Sequence, residues 1–161
     1  QIATQVLGTV FEVTAYDTNQ ELSVTVKEGK VALAKVLDNK LHTVHEDKIV
    51  LQANQKSTYQ IKEGTFNKRL IDSPQRLPFT SHISLNYEEK ALRKVFQDIE
   101  QVYGIAIVYN LDTIRHCQLT ASLENEEFLD ILKIICTSVG LRYEIVETSV
   151  IITGKGCSNL S

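Results

Sequence analysis

The residues able to do chemistry are few and scattered. Four histidines stand at His42, His45, His82 and His116. His42 and His45 could ligate a metal, but no third or fourth ligand follows at a familiar zinc spacing, and both read as surface residues of a loop. His116 precedes Cys117, yet neighbours on a strand point to opposite faces, which argues against a Cys–His nucleophile. The acidic run Glu124-x-Glu126-Glu127 could hold a cation. At the start of an amphipathic segment it reads more simply as carboxylates placed favourably at a helix N-terminus. Gly154-x-Gly156 carries no Lys-Ser/Thr pair and opens no helix, so it is not a phosphate loop. The three cysteines, Cys117, Cys136 and Cys157, are widely spaced with no C-x-x-C pair, against a zinc knuckle or a redox motif. They read as two small, partly buried thiols and one thiol in a tail. No catalytic residue, cofactor or metal is expected from this set, and the chain is not expected to be an enzyme.

Composition narrows the class further. The 161 residues suffice for one domain or two small ones, and 43% apolar with 23% charged residues is an ordinary globular balance. A net charge of −3, with Lys and Arg spread along the chain, gives no basic stripe for nucleic acid. Aromatic residues are 7% with no Trp, a poor supply for a platform that stacks bases or sugars. No stretch approaches the ~20 apolar residues of a membrane span. The chain lacks Met and opens on Gln1, as expected of a processed form or a cut fragment.

The elements that would position any site fall into two halves. In residues 1–72, Phe11, Val13 and Ala15 alternate with polar neighbours, and so do Leu22, Val24 and Val26, which is the period of half-buried strands. Glu28-Gly29 predicts a hairpin before a strand starting at Lys30-Val31. Shorter strands are expected at Ile49–Leu51, Lys56–Ile61 and Phe66–Ile71, giving an antiparallel, sandwich-like unit. Both prolines lie in 73–78, the expected linker. Residues 79–154 read as a small β-α-β-β-α-β-β domain if Ile83–Leu85 is its first strand. Asn86, with Glu89 three residues on, predicts a capped helix with Leu92, Val95, Phe96, Ile99, Val102 and Tyr103 on one face and Gly104 as its stop. Asn125 predicts a second cap, before Phe128, Leu132, Ile135, Cys136 and Val139, with Gly140 ending that helix. Strands are expected at Ile105–Tyr109, Gln118–Leu123, Arg142–Val146 and Val150–Thr153, the last two joined by a tight turn. The two helices should cover one face of the sheet, and residues 155–161 read as a frayed tail. The fold class is α+β.

With these elements in place, the chain resembles the FecR family of anti-sigma factors. The first half carries Leu7-Gly8-Thr9-x-Phe11-x-Val13, Val24-x-Val26-x-Glu28-Gly29-x-Val31 and Leu51-x-x-Asn54-Gln55. Asn54 stands where the family usually has Gly, and Asn is the next best residue for a left-handed turn. The second half carries Tyr103-Gly104-x-x-Ile107, Ile131-Leu132 before Gly140-Leu141-x-Tyr143, and Ile151-Ile152-x-Gly154-x-Gly156-Cys157. This half is similar to the short N-terminal signalling domain of secretins and TonB-dependent transducers. A Trp that the family often carries between the halves is absent.

The resemblance implies the periplasmic region of a single-pass inner-membrane protein. Its cytoplasmic segment would bind an extracytoplasmic-function sigma factor, and its periplasmic partner would be the signalling domain of an outer-membrane TonB-dependent transporter. No nucleic acid and no small-molecule substrate would be bound. A structural module of a secretin-like envelope machine is the alternative, and the Gly-Thr-x-Phe and Glu-Gly-x-Val patterns favour the anti-sigma reading. Strand edges offer unpaired backbone groups to a partner. The apolar runs Val150-Ile151-Ile152-Thr153 and Ile105 to Ile107 are therefore the expected docking residues, although such runs are commonly core.

Overall fold

The computed structural model describes residues 2–16, 20–36 and 48–157. The chain divides into two compact units, Gln1–Ile71 and Asp72–Ser161.

The first unit is antiparallel throughout. Strands β1 (Ile2–Tyr16), β2 (Glu21–Lys35), β3 (Lys48–Gln52), β4 (Gln55–Gln60) and β5 (Thr65–Leu70) form one sheet ordered β1-β2-β4-β5, with β3 also paired to β2. The short strands lie within a residue or so of their expected places. The hairpin expected at Glu28-Gly29 does not form, because β2 runs straight through it.

Gly29, at φ +81°, instead marks a bulge. Opposite it the register of β1 shifts between Leu7 and Phe11, and Thr9 Oγ1 donates to Lys30 O (2.9 Å) and accepts from Lys30 N–H (3.2 Å). On the other side of β2, β3 pairs with 30–34 and β4 with 21–26, and the break between them falls at Ala53-Asn54. Asn54 has φ +65°. Its N–H donates to Val26 O (3.0 Å) and its own carbonyl accepts from Ile71 N–H (3.0 Å). Three neighbouring strands are thus interrupted at one level. The interruption also changes parity. A period of two puts residues five apart on opposite faces, yet Val24 and Val26 share one buried cluster with Val31, Leu33 and Leu51. Phe11, Ile49 and Phe66 pack against its margin.

The second unit keeps the expected order and adds a turn of helix. It runs β6 (Asn86–Ala91), α1 (Leu92–Tyr103), β7 (Ala106–Val108), α2 (Leu111–Ile114), β8 (Gln118–Ser122), α3 (Phe128–Ser138), β9 (Leu141–Val146) and β10 (Ser149–Gly154). The strands separate into a three-stranded sheet, β7-β10-β9, and a pair, β6-β8.

Two helix starts differ from expectation. Asn86 opens β6 instead of capping a helix, and Ile83–Leu85 is not a strand. Tyr87 pairs with Ala121 across the β6-β8 ladder, and a bulge at Glu88-Glu89 gives Glu89 φ +45°, with its N–H on Thr120 Oγ1 (2.9 Å). Helix α1 begins at Leu92 without a side-chain cap, because Leu92 N–H donates to Cys117 O at 2.9 Å. Its predicted apolar face is buried in full, and Gly104 ends it in the left-handed conformation. The start of α3 lies at Glu127, not Asn125. Tyr103 and Phe128, one from each long helix, meet at 4.9 Å between ring centroids.

The segment read as a linker, 73–78, is tied to the second unit. Leu77 N–H donates to Val102 O (2.7 Å), and Arg76 reaches Glu124 (2.8 Å). The tail is also held. Cys157 forms a disulfide with Cys117, Cα atoms 5.1 Å apart, which corrects the reading of two separate thiols and a frayed end. Only Cys136 is a free, buried thiol.

Candidate docking surface

Alternation along the β7-β10-β9 sheet sorts its residues onto two faces. Ile107, Val150 and Ile152 are 5%, 0% and 6% exposed, and α1 and α3 pack against β7 and β9. Ile105, just before β7, is buried as well. Four of the six residues expected at a docking site are therefore core. The edge proposed for Val150–Thr153 is not open either. β10 is the central strand, paired in parallel with β7 and antiparallel with β9, so its backbone groups are used on both sides. The physical reason is the chain reversal at Glu147-Thr148, which lays β10 back between β9 and β7.

The other two residues, Ile151 and Thr153, point to the opposite face. There the ladder sets Ile151 between Val108 and Glu144, and Ser149 between Ala106 and Val146. Val108 is 51% and Val146 47% exposed. Thr153 pairs with Arg142 at the margin. The outer face thus carries Val108, Ile151 and Val146, with Glu144 directly across from Ile151. Val108 and Val146 were not among the residues expected at that face. The alternation of Arg142, Glu144 and Val146 against Leu141, Tyr143 and Ile145 could have found Val146.

The polar side chains of the unit act inside the fold. Glu124 accepts from Leu85 N–H at 2.6 Å and from Arg76 Nη1 at 2.8 Å. The Leu85 N–H chiefly, against a desolvation cost, and then Arg76 and Ser84 hold its carboxyl below the usual carboxylate range. This pairing, not a helix dipole, explains Glu124. Asp98 is buried beside Lys94 (2.5 Å) and the Tyr87 hydroxyl (3.4 Å). Burial first, and the Asp98 carboxylate next, push the Tyr87 phenol far up. Burial alone takes the Cys136 thiol up to about 11.

No such group meets another in a catalytic or metal-binding arrangement. Among the described residues no three His, Cys, Asp or Glu side chains gather around a metal position. His82 and His116 are exposed, and the partner of His116 in the Cys–His reading, Cys117, is spent in the disulfide. His42 and His45 lie outside the described residues. Gly154-x-Gly156 is a packing motif, since a Cβ on Gly154 would sit 2.9 Å from Gly140 O. Among the described residues no helix is long and apolar enough to cross a membrane.

Comparison with known proteins bears on the second unit. Residues 84–152 match the family model described as FecR, C-terminal. The matched stretch lies within the second unit, which is thus similar to the C-terminal domain of FecR proteins. Two crystal structures of a proposed anti-sigma factor from Parabacteroides distasonis ATCC 8503, at 2.50 and 1.65 Å resolution, are similar to the chain. Each is 22% identical, with a TM-score of 0.42, over 96% of this chain and 68% of that one. No curated protein matches.

Proposed function

We propose that this chain is the periplasmic sensor region of a transmembrane anti-sigma factor. It takes a signal from the signalling domain of a TonB-dependent outer-membrane transporter and passes it, through a cytoplasmic segment, to an extracytoplasmic-function sigma factor. It works by binding protein, not by catalysis. The observation that carries the reading is the outer sheet face, where Val108, Ile151 and Val146 are apolar, share one side and lie opposite the helices. The Cys117–Cys157 disulfide supports a periplasmic setting, because such bonds persist in oxidising compartments.

Chemical-shift mapping tests it. On adding the signalling domain of a TonB-dependent transporter encoded beside this gene, resonances of Val108, Val146, Ile151 and Thr153 should move. Shifts confined to Arg93, Lys94 and Gln97 on α1 would refute the assignment of the surface. A silent titration would refute the partner.

A further inference from the structure

The most exposed large apolar side chain of the described residues is Phe79, at 90%. It also has φ +65°, in the left-handed region that bulky side chains avoid. Leu77-Pro78-Phe79-Thr80 follows the type II pattern, with Pro second and a positive φ third, a position that ordinarily calls for Gly or Asn. Here a phenyl ring occupies it.

The turn under the ring is heavily tied down. Thr80 Oγ1 donates to Leu77 O at 2.7 Å. Arg76 Nη2 donates to Thr80 O (3.3 Å) and Ile83 O (2.9 Å), while its Nη1 is held by Glu124. Leu77 N–H is fixed on Val102 O of α1. A ring that makes no use of burial thus sits on a rigid base, in a backbone conformation that costs free energy. Strain of this kind persists where the surroundings over-determine it, and it concentrates at functional positions.

We propose that Phe79 is a preformed anchor that inserts into an uncharged apolar socket of a protein partner, and that this partner is the transporter signalling domain of the reading above, on which the proposal rests. With the backbone already fixed, only the two side-chain torsions of the ring remain to be ordered on binding, and aromatics are frequent binding hot spots. The chemistry around it selects the socket. Residues 77–87 contain no Asp, Glu, Lys or Arg, in a chain that is 23% charged, and Arg76 is already consumed by Glu124. The exposed neighbours are Pro78, Ser81, His82 and Ser84, which ask for apolar contact and neutral hydrogen bonds. The same absence of Lys and Arg disfavours an anionic membrane surface as the occupant.

Calorimetric titration of the whole chain with that signalling domain, in wild-type and Phe79→Ala forms, tests this. Ala keeps the backbone penalty and removes only the ring. Affinity should fall about tenfold or more, while the melting temperature stays unchanged, because the ring contributes no internal packing. Phe79→Asn, which tolerates the left-handed turn, should melt no lower than wild type and bind as weakly as the Ala form. Equal binding by wild type and Phe79→Ala would overturn the anchor and leave the proposed function standing. No binding by wild type would overturn both. A lower melting temperature for Phe79→Ala would show that the ring packs within the chain, overturning the proposal. So would self-association, or flotation with phosphatidylethanolamine–phosphatidylglycerol vesicles, that is lost in the Ala form in place of partner binding.

Discussion

Breaking the Cys117–Cys157 bond should destabilise the second unit selectively. The bond spans 40 residues of sequence. It encloses β8, α3, β9 and β10, nearly half of the unit. Closing a loop of that size removes about 4 kcal/mol of denatured-state entropy on the chain-entropy account, and natural bonds typically return ~2–4 kcal/mol. A further small loss follows from the Cys157 N–H, which lies 3.0 Å from the Cys117 sulfur. For a unit of this size, with about 4–8 °C of melting temperature per kcal/mol, the shift is roughly 8–32 °C. Cys157→Ser is the cleaner variant, because it leaves the buried Cys117 as a thiol and creates no buried hydroxyl at that site. Every described helix lies in the second unit, so the far-ultraviolet helix signal reports its unfolding. The first unit contains no cysteine and acts as an internal control. A helix transition that stays put in Cys157→Ser, or in wild type after verified reduction, would refute the claim that this bond holds the unit together.

Thiol counting checks the same bond chemically. The native chain should show no thiol reactive to an aromatic disulfide reagent, since burial takes Cys136 up to about 11. The denatured, unreduced chain should show one, and the reduced chain all three. Glu124→Ala should cost about 1–3 kcal/mol by urea titration, because it strands the Leu85 N–H and takes the carboxylate partner from Arg76 Nη1. The Glu124 carboxyl is depressed in the folded state. Its contribution is therefore present above its unfolded value of about 4.5 and fades as pH falls through the lower folded value, a slope that Glu124→Gln should flatten. Gly104→Ala places a Cβ 2.9 Å from Leu77 Cδ1 at φ +66°, and should cost about 1–2 kcal/mol from the left-handed conformation before any repacking.

Most of the secondary structure was legible because it rests on local periodicity. The apolar face of α1 and its stop at Gly104 follow from a 3.6-residue repeat and one glycine, and both hold. What failed has one cause in each case, a non-local pairing that outweighed a local signal. Asn86 and Glu89 have the spacing of a helix cap, but Tyr87 is worth more in the β6-β8 ladder, with its hydroxyl on Asp98. Leu92 then gets its acceptor from Cys117 O, a residue no nearby pattern points to. Glu28-Gly29 reads as a turn on its own, yet Thr9 bridging Lys30 turns it into a bulge. The parity of the buried residues, even at Val24 and Val26 and odd at Val31 and Leu33, does show that the strand is interrupted there. A hairpin and a bulge both change parity, so the alternation alone could not choose between them.

The candidate site divides along the same line. Ile151 and Thr153 lie together on the outer face, as alternation along one strand requires. Val150, Ile152, Ile105 and Ile107 were misassigned because an apolar run does not say whether its strand is central or at an edge. That depends on where β10 lies relative to β7, more than 40 residues earlier in the chain. Phe79 left no pattern at all, since its exposure comes from Arg76 and Glu124 holding the turn beneath it. A surface built from such long-range ties is one that sequence periodicity describes only after the topology is known. That is also why the three measurements bearing on this unit — reduction, the Glu124 slope and the Phe79 titration — should report on separate properties, respectively chain connectivity, buried electrostatics and partner affinity.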